Sequence, residues 1–443
     1  MASSPLLIDF YQLSMLDVYL QKGIEGKASF EFFVRKMPEN RNFLVAAGLE
    51  QALDYLTTLS FSNEDLDYLK DHGLSEAALD YLSSFSFKGD VFAMEEGEIF
   101  FENEPILRVE APIAQAQLVE TRLINIIHFQ SLVASKASRV FLASRGLPLL
   151  DFGFRRSHEA DAGLFAARAC FIGGFSATAT VEAGRRFAIP VTGTMAHSFV
   201  LAHESEEQAF KNFIEVHPSN PILLIDTFDV EKAALIVAKL FHSYKKQGVK
   251  IKGVRIDSGD YLSLSRRVRQ IFDEKGCGEL SIFVSGGLDE AEIERLLSQG
   301  APIDGFGVGT LVDTSFDAPF LDCAYKLVEY EGRPCMKFST GKATLPFRKQ
   351  VFRIHDQDGG FIKKDTLGTE DEDCPGTPLL KKVMEGGQVI RSCGVQQAQK
   401  RCLNRLSKLP ERLRDLKSKE DFAPRLSGRL KKYLSKGQGE SAL

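Results

Sequence analysis

The sequence predicts an α/β protein whose central part folds as an irregular (β/α) barrel rather than as an open, doubly wound sheet. Between residues 149 and 310, short apolar runs alternate with amphipathic segments that end in glycine, the pattern of repeated strand–helix units. Polar or glycine residues follow each apolar run. Many candidate strands in so short a segment favour the barrel, and they begin at Leu149, Cys170, Pro190, Ile222, Ile251, Leu280 and Ile303.

The segment before this region has the pattern of a mixed α/β unit. Residues 6–22 predict an amphipathic helix capped by Asp9, with Tyr11 in its first turn. The run FEFFV predicts a strand, and a helix is expected over residues 43–59. After a further β-rich stretch, residues 113–144 contain few helix breakers and predict one long helix or two abutting helices.

Beyond Asp317 the pattern returns to β-like segments, CAYKLVEY, CMKFST and KQVFRIH, and then to a basic tail. Residues 400–436 contain 13 Lys or Arg against 4 Asp or Glu, with leucines at helical spacing. Because aromatic residues do not interleave with the basic ones, we expect solvated helical faces here rather than a nucleic-acid site.

Composition narrows the class of protein. The chain has 443 residues, a net charge of −5 and 26% charged residues, which gives no reason to expect nucleic acid or membrane partners. No stretch approaches the ~20 apolar residues of a membrane span, and the N-terminus lacks the pattern of a secretory signal. The seven cysteines are dispersed without a CxxC pair, so we expect a reduced, cytoplasmic protein.

Ligands of barrels and of open parallel sheets bind at the carboxyl ends of the strands. The residues that follow the candidate strands are therefore expected to form one site. They are Arg155 and Arg156; Gly173 and Gly174; Gly193, Thr194 and His197; Asp226 and Thr227; Arg255, Asp257 and Ser258; Ser285, Gly286 and Gly287; and Gly307, Gly309 and Thr310.

Two glycine turns on adjacent strands, VSGGLDE and GFGVGT, predict a phosphate site. Glycine lets backbone N–H groups approach an anion closely, and barrels often bind phosphate after their last strands. Gly286, Gly287, Gly309 and Thr310 are the candidates for holding a phosphate monoester.

Charged side chains stand at the same strand ends. Arg155, Arg156 and Arg255 offer planar forks suited to phosphate or carboxylate groups. Asp226 and Asp257 have the chemistry to bind sugar hydroxyls or Mg²⁺, whose ligands are oxygens. Structural pairing between these aspartates and arginines is the alternative.

An aromatic pair and a histidine complete the candidate chemistry. Phe152 and Phe154 flank Gly153 on a strand, so they share one face, and one of them is a candidate wall for a flat ring while the other packs in the core. His197 is a candidate base, metal ligand or phosphoryl acceptor. Metal binding is the weakest of these, because no HxH or HxxxH partner is near and His203 is six residues away.

The chain resembles the nicotinate phosphoribosyltransferases, which are type II phosphoribosyltransferases. The motifs, in order, are DFYQLSM, FEFFVRKMP, AAGLEQAL, DFGFRR, IGGFSATATVEAG, IPVTGTMAHSFV, IDTFD, GVRIDSGD and DGFGVGT. The resemblance implies an irregular barrel over residues 131–345, joined to an α/β domain built from residues 1–130 and 346–443. It also implies transfer of phosphoribose from phosphoribosyl pyrophosphate to the ring nitrogen of nicotinate. That reaction gives nicotinate mononucleotide and pyrophosphate in NAD biosynthesis, with Mg²⁺ as cofactor and ATP hydrolysed through a phosphohistidine.

The resemblance assigns roles to residues of this sequence. It implies that His197 is phosphorylated, that Phe152 stacks on the ring, and that the two glycine turns hold the 5′-phosphate. A protein-held metal is implied only at Asp226 or Asp257. The implied catalytic residues are His197, Arg255 and Asp257; the substrate-binding residues are Tyr11, Phe152, Arg155, Thr194, Ser198 and Asp226; and the phosphate-binding residues are Gly286, Gly287, Gly309 and Thr310.

The resemblance also implies a homodimer with shared active sites, in which Tyr11 and Arg35 reach the partner's site. Nicotinamide-using relatives place an Asp in the motif GFSATATVEAG, whereas this chain has no carboxylate from Gly173 to Val181, which favours nicotinate. A nicotinamide phosphoribosyltransferase and a non-catalytic nucleotide-binding regulator stay open as alternatives. Two loops, residues 157–163 and 346–349, depart from the family's pattern.

Overall fold

The computed structural model describes residues 4–219, 221–337, 344–356 and 360–440. The chain divides into two units: residues 1–135 with 318–443 form the first, and residues 136–317 form the second. The boundaries predicted from the sequence were residues 130 and 345. The second boundary lies earlier in the structure because the strand Cys323–Tyr330 pairs along its length with the strand Lys27–Val34 of the first unit.

The elements follow in chain order. The helices are α1 Phe10–Gln21, α2 Leu49–Thr58, α3 Asn63–Asp71, α4 Glu76–Ser83, α5 Ile113–Leu118, α6 Glu120–Ala143, α7 Ala160–Ile172, α8 Val181–Phe187, α9 His197–Leu201, α10 Glu206–Val216, α11 Val230–Lys245, α12 Tyr261–Glu274, α13 Glu290–Ser298, α14 Thr310–Asp313, α15 Val395–Ser407, α16 Glu411–Arg414 and α17 Gly428–Glu440. The strands are β1 Lys27–Val34, β2 Leu44–Val45, β3 Asp90–Ala93, β4 Ile99–Phe100, β5 Pro105–Pro112, β6 Leu149–Asp151, β7 Ala177–Thr178, β8 Ile222–Leu224, β9 Gly253–Ile256, β10 Ser281–Ser285, β11 Gly305–Val308, β12 Cys323–Tyr330, β13 Arg333–Pro334, β14 Lys349–His355, β15 Ile362–Thr369, β16 Thr377–Pro378, β17 Lys381–Glu385, β18 Gln388–Val389 and β19 Arg425–Leu426.

The first unit is organised around β1, the strand predicted from FEFFV. Seven of its eight residues are buried, and it pairs antiparallel with β12 on one side and β5 on the other. The described strands form a seven-stranded sheet in the order β13-β12-β1-β5-β3-β17-β18, so both chain ends contribute to it. A four-stranded sheet, β16-β14-β15-β19, and a two-stranded one, β2-β4, complete the unit.

Several predicted elements of this unit are confirmed and one is corrected. The N-terminal helix is α1, and the breaker-poor segment forms the two abutting helices α5 and α6. The helix predicted over residues 43–59 begins only at Leu49, because Gly48 has φ of 99° and the preceding residues Leu44 and Val45 form β2. A left-handed residue cannot continue an α-helix. Part of the predicted strand CMKFST lies outside the described residues.

The second unit carries a curled, fully parallel sheet of six described strands, in the order β7-β6-β11-β10-β9-β8. The sheet forms a half-barrel, which confirms the predicted α/β class with an irregular (β/α) barrel. Helices α7 and α11–α13 alternate with its strands. Among the described residues, no helix is long and apolar enough to cross a membrane.

Two of the predicted strands are wrong. Cys170 to Ile172 is the last turn of α7, which ends at Gly173, and the strand that follows is the short β7. The error arises because a buried apolar run has the same composition in a helix as in a strand. The run at Pro190 makes only an isolated bridge, in which Val191 pairs with Thr178 of β7.

Helix α6 fixes the start of α13 through buried charges in the second unit. Lys136 Nζ lies 2.5 Å from Glu290 Oε2, and Arg139 Nε lies 2.9 Å from Glu290 Oε1. All three side chains are buried, and the two cations hold the pKa of Glu290 below its ordinary value despite burial, which acts the other way. This network holds the helix that follows the turn of Gly286 and Gly287.

Candidate active site

A cavity of about 1020 Å³ opens at the carboxyl ends of the strands in the second unit. The predicted site residues Phe152, Arg155, Thr194, His197, Arg255, Asp257, Gly286, Gly287, Gly309 and Thr310 all line it. The wall also contains Phe154, Arg156, Ala179, Thr180, Val181, Glu182, Gly193, Met195, Ala196, Ser258, Gly259, Tyr261, Ser285 and Gly307. The carboxyl ends of several strands therefore supply one continuous surface, as parallel pairing requires.

Arg255, on β9, joins four groups in the wall of the cavity. Its Nε donates to Thr194 Oγ1 at 3.1 Å, and its Nη2 donates to the carbonyl of Met195 at 2.7 Å. Its Nη1 donates to Asp257 Oδ1 at 2.7 Å and to Ser285 Oγ at 3.0 Å. Burial lowers the pKa of Arg255 from its ordinary value, while the neighbouring aspartates act in the opposite direction. The guanidinium is thus a fixed cation in a wall that is largely removed from water.

His197 begins α9, and its imidazole lies between a hydroxyl and two carboxylates. Nδ1 is hydrogen-bonded to Thr227 Oγ1 at 3.2 Å. Nε2 lies 3.9 Å from Asp257 Oδ2 and 4.0 Å from Asp226 Oδ1, beyond hydrogen-bonding distance. The side chain is 40% exposed and lines the cavity. One ring nitrogen is thus oriented by the protein, and the other is accessible to a ligand.

Asp226 follows β8 and lies behind the cavity wall. Its Oδ2 accepts hydrogen bonds from the backbone N–H of Asp257 at 3.0 Å and from the Ser258 hydroxyl at 2.7 Å. Its side chain is only 3% exposed, and its Oδ1 has no hydrogen-bond partner among the described residues. An orphaned carboxylate oxygen beside His197 marks a position where a cation or a ligand's donor is stabilised.

A third carboxylate acts on this region and was missed by sequence reasoning. Glu206 begins α10, and its Oε1 is likewise buried without a partner among the described residues. Burial, followed by the charges of Asp229 and Asp226, raises the pKa of Glu206 to about 7. Glu206 therefore exchanges a proton near neutrality. The only signal in the sequence was an acidic residue after a capping Ser205, which is an ordinary helix start.

The turn after β10 has the backbone that a phosphate cradle needs. Gly286 and Gly287 have φ of 94° and 64°, which side chains rarely adopt. A Cβ at Gly286 would stand 2.3 Å from the carbonyl oxygen of Asp257. The Tyr261 hydroxyl lies 2.7 Å from the carbonyl oxygen of Ser285 and 2.8 Å from that of Gly286, and so fixes the turn. Tyr261 was also missed, because nothing in its sequence context separates it from a helix-packing residue.

The segment after β6 forms an aromatic and basic wall. The Phe152 ring packs on Gly307, where a Cβ would come within 2.5 Å, and Arg255 Cζ lies 5.9 Å from the ring centroid. Phe154 is 43% exposed and Phe152 is only partly buried. Neither ring therefore belongs to the buried core, contrary to the expectation that one of them packs there. Arg155 is exposed at the same wall and further lowers the pKa of Arg255.

The cavity wall that follows β7 is uncharged at Ala179 and Thr180. Ala179 lines the cavity, and the adjacent Thr180 is 7% exposed with an Oγ1 that has no partner among the described residues. The next carboxylate, Glu182, is bound by Arg185 at 2.6 Å. The wall therefore offers a free hydroxyl and no unpaired negative charge.

Other predicted residues lie elsewhere. Ser198 is exposed on α9 and does not line the cavity. Gly173 and Gly174 end α7 rather than a strand. Tyr11 lies on α1 in the first unit, 47% exposed, and burial and then Glu120 raise the pKa of its hydroxyl to about 12. Arg35, in the same unit, forms an ion pair with Asp322 at 3.3 Å.

Both loops that depart from the family's pattern are anchored within their own units. In the first, Ser157 donates to Asp313 Oδ2 at 2.7 Å. In the second, Lys349 Nζ binds Glu31 at 2.7 Å, and Arg348 Nε lies 3.1 Å from Glu329. The basic character of residues 346–349 is thus used in ion pairs of the first unit.

Two family models match most of the chain. The model described as the nicotinate phosphoribosyltransferase (NAPRTase) N-terminal domain matches residues 6–128, and the one described as the nicotinate phosphoribosyltransferase (NAPRTase) family matches residues 147–342. A nicotinate phosphoribosyltransferase of Mycobacterium tuberculosis (strain H37Rv) is 44% identical over 389 residues, which cover 87% of this chain and 83% of that protein. One of Bacillus subtilis (strain 168) is 43% identical over 382 residues, covering 84% and 77%.

Solved structures are similar over nearly the whole chain. The structure of human nicotinic acid phosphoribosyltransferase matches with a TM-score of 0.86 and 27% identity, covering 97% of this chain and 100% of that one. The structure of a nicotinate-nucleotide pyrophosphorylase from Pyrococcus furiosus matches with a TM-score of 0.74 and 27% identity, covering 90% and 94%.

Proposed function

Given that this chain belongs to the nicotinate phosphoribosyltransferase family, we propose that it transfers phosphoribose from phosphoribosyl pyrophosphate to nicotinate, in a reaction coupled to ATP hydrolysis. The products are nicotinate mononucleotide and pyrophosphate, and the place of the reaction is NAD biosynthesis. One observation carries the proposal: an aromatic wall, a largely buried arginine, an accessible histidine and two glycine turns meet in a single cavity.

The residues of the cavity suit the parts of these substrates. Phe152, beside the Arg255 guanidinium, offers a face for the pyridine ring, and Arg155 with Arg255 offsets the charge of the nicotinate carboxylate. The turns at Gly286 and Gly309 receive the 5′-phosphate through backbone N–H groups. The uncharged wall of Ala179 and Thr180 favours nicotinate over nicotinamide, because it presents no unpaired carboxylate to accept from a carboxamide.

In the proposed transfer, the bond between C1 of the ribose and pyrophosphate breaks while the ring nitrogen forms a bond to C1. Nicotinate is already a competent nucleophile, so the site needs no strong base. The chain's contribution is to hold the ring, the ribose and the leaving group in line, and to oppose developing charge with fixed groups. Asp257, which Arg255 holds in place, is the candidate contact for the ribose hydroxyls.

The carboxylates beside His197 fit a magnesium ion held jointly with substrate phosphates. Asp226 Oδ1 is buried without a hydrogen-bond partner among the described residues, and Asp257 presents a second carboxylate oxygen nearby. Within the described ranges, no three His, Cys, Asp or Glu side chains cluster to hold a metal by themselves. Mg²⁺ commonly takes one or two carboxylates plus phosphate oxygens. When bound, it offsets the charge of the leaving pyrophosphate.

His197 is the proposed phosphoryl acceptor for ATP. Thr227 orients Nδ1, which leaves Nε2 to attack the γ-phosphorus as the bond to ADP breaks, and water later releases phosphate. Phosphorylation would add negative charge beside Asp226 and Asp257, which changes the affinity of this region for cations and anions.

We expect the chain, supplied with nicotinate, phosphoribosyl pyrophosphate, Mg²⁺ and ATP, to form nicotinate mononucleotide and pyrophosphate in equal amounts. Since one charge on the pyridine substituent decides the fit, kcat/KM for nicotinamide should be lower by about 100-fold or more. Chromatography with mass detection of both nucleotides checks this. Preference for nicotinamide would favour the alternative enzyme, and nucleotide binding without turnover would favour the regulator.

The proposal includes a homodimer in which Tyr11 of a second copy covers the pyridine ring. The support is indirect: Tyr11 is 47% exposed, and its neighbours Leu7 and Phe10 are each 53% exposed, an apolar group suited to an interface.

Mixing two inactive variants tests the shared site. Tyr11→Ala and Arg155→Ala should each lose most activity as homodimers. After exchange of subunits, about half of the dimers are mixed and each has one intact site, so about a quarter of the wild-type activity should return. The rate of the mixture, with mixed dimers verified by differential tagging, is the measurement. Verified mixed dimers without recovered activity would exclude Tyr11 from the partner's site.

A further inference from the structure

Beneath the cavity, the structure brings together two buried carboxyl groups to which the reaction gives no role. Asp151 ends β6 and is 1% exposed, and Asp313 ends α14 and is 2% exposed. Both carboxyl groups lie against Gly153: Asp151 Oδ1 accepts its backbone N–H at 2.8 Å, and a Cβ built on this glycine would stand 2.2 Å from the Asp313 carboxyl carbon. Two carboxyl groups buried this close together cannot both be ionised without a large cost in free energy, which favours a proton on one of them.

We propose that Asp151 and Asp313 form a proton-sharing pair that positions three walls of the active site, with the shared proton carried by Asp313. The inference rests on the proposed function for its kinetic part only. Asp151 and Asp313 are positioning residues, because neither lines the cavity.

The two carboxyl groups bind the segment that carries the aromatic wall at two points, Gly153 and Ser157. Asp151 Oδ1 accepts the backbone N–H of Gly153 at 2.8 Å, and Gly153 lies directly between Phe152 and Phe154. A Cβ on Gly153 would come within 2.2 Å of the Asp313 carboxyl carbon, so the glycine makes room for the pair. The Ser157 hydroxyl, at the end of the same segment, donates to Asp313 Oδ2 at 2.7 Å.

The same pair reaches the uncharged wall and the phosphate turn. Asp151 Oδ2 accepts from Thr178 Oγ1 at 2.6 Å, and Thr178 Oγ1 in turn accepts the backbone N–H of Thr180 at 3.0 Å. Asp313 is the last residue of the four-residue helix that begins at Thr310. Movement of either carboxyl group would therefore displace segments that face the ring and the phosphate.

The hydrogen bonds that each carboxyl group accepts favour Asp313 as the protonated member of the pair. Both oxygens of Asp151 already accept strong hydrogen bonds, from an N–H and a hydroxyl. Asp313 accepts from Ser157 and, weakly, from the Cys170 thiol at 3.7 Å. Burial, and then the charge of Asp151, raises the pKa of Asp313 well above its ordinary value, and burial raises the pKa of Asp151 too.

The titratable surroundings leave this proton in place. From α7 the Cys170 thiol faces the pair, and burial with the two aspartates raises its pKa, so it stays neutral. Ser157, Gly153 and Thr178 contribute groups that do not titrate. Among the described residues, no Lys or Arg lowers the pKa of either carboxyl group as much as its hydrogen-bond donors do. The retained proton leaves one negative charge, instead of two, beneath a cavity that receives anionic substrates.

Asparagine variants distinguish the two members of the pair. Asp313→Asn keeps a donor toward Asp151 and an acceptor for Ser157, so KM for nicotinate should stay within about twofold of wild type. Asp151→Asn loses an acceptor for Gly153 or Thr178, and KM should rise about 10-fold or more. Equal effects of the two variants, or the reverse order, would overturn the assignment.

Two measurements do not depend on turnover. At neutral pH the wild-type chain should show an infrared carbonyl band of a protonated carboxylic acid that Asp313→Asn lacks. The bands of Glu206 and Glu104, whose pKa values are also raised, should be the same in both proteins. Because the folded state keeps a proton that the unfolded state has lost, the free energy of unfolding should fall as pH rises above the ordinary Asp pKa of about 3.9. Asp313→Asn should lessen that slope, whereas the exposed Asp273→Asn should not.

These readouts separate failure of the pair from failure of the function. A wild-type chain that does not convert nicotinate would refute the function, while the infrared and unfolding data would still decide on the pair. A missing band, or an unchanged slope in Asp313→Asn, would refute the shared proton. If Asp151→Asn does not fold, Thr178→Val removes one donor to Asp151 and should raise KM while the band persists.

Discussion

Replacement of His197 by asparagine should abolish the stimulation of turnover by ATP and leave a slower, ATP-independent transfer. Asparagine keeps a polar group near the position of Nδ1, and so keeps a contact for Thr227, but it has no atom at the position of Nε2. With no nucleophile to accept the phosphoryl group, the ratio of rates with and without ATP should fall to about 1. Initial rates with saturating nicotinate and phosphoribosyl pyrophosphate give this ratio directly.

Labelling provides the second readout for His197. With γ-labelled ATP, the wild-type chain should hold phosphate that is stable to alkali and lost in acid, as expected of a phosphohistidine, and His197→Asn should hold none. His203→Asn is the matched control, because His203 lies six residues away, outside the cavity, with Nδ1 hydrogen-bonded to the carbonyl of Phe199 at 2.7 Å. Retained ATP stimulation in His197→Asn, or its loss in His203→Asn, would exclude the phosphoryl role.

The sequence located this region because parallel strands impose a simple geometry. Polar residues after apolar runs, such as Asp257 after β9 and Gly309 after β11, had to meet at one edge of the sheet, and they do. The same logic failed where the strand itself was misassigned. Cys170 lies in the buried helix α7, whose apolar run resembles that of a strand. Strand β7 has only two residues, too few for an alternating pattern of polar and apolar side chains to be recognised.

Other features of the site depend on contacts between distant residues and have no local signal. The orphaned oxygens of Asp226 and Glu206, the bonds from Tyr261 to the glycine turn, and the pairing of Asp151 with Asp313 arise only after folding. Ser198, for which the motif suggested a substrate contact, is exposed on α9 and is not part of the cavity lining, so its role stays a prediction. The phosphorylation of His197 was suggested by resemblance, and the geometry is compatible with it.

Removal of the Arg255 guanidinium should reduce kcat/KM for nicotinate by about 10²- to 10³-fold. The variant Arg255→Ala loses four hydrogen bonds, of which the one to the Asp257 carboxylate at 2.7 Å joins opposite charges. A hydrogen bond of a charged group contributes about 1.5–3 kcal/mol. Two such bonds, made to the substrate or to residues that contact it, account for the expected loss. Steady-state kinetics with varied nicotinate measures it.

Arg255→Lys tests whether charge alone is sufficient. Lysine keeps the cation but cannot bridge Thr194, Met195 and Asp257 in one plane, so we expect a loss of about 10- to 100-fold, mostly in KM if the arginine positions the ring. Arg267→Ala is the control, because Arg267 is 43% exposed on α12, pairs with Glu231, and like Glu231 does not line the cavity. It should change kcat/KM by less than about twofold, since exposed pairs contribute little.

Stability measurements decide between a catalytic and a merely structural role for Arg255. Its side chain is only 12% exposed, and its loss leaves Asp257 without its cation, so Arg255→Ala should also lower the free energy of unfolding. The double variant Arg255→Ala with Asp257→Asn removes that unpaired charge and should recover stability without recovering activity. Recovery of both together would mean that the arginine only balances Asp257, whereas recovery of stability alone would assign its charge to the substrate.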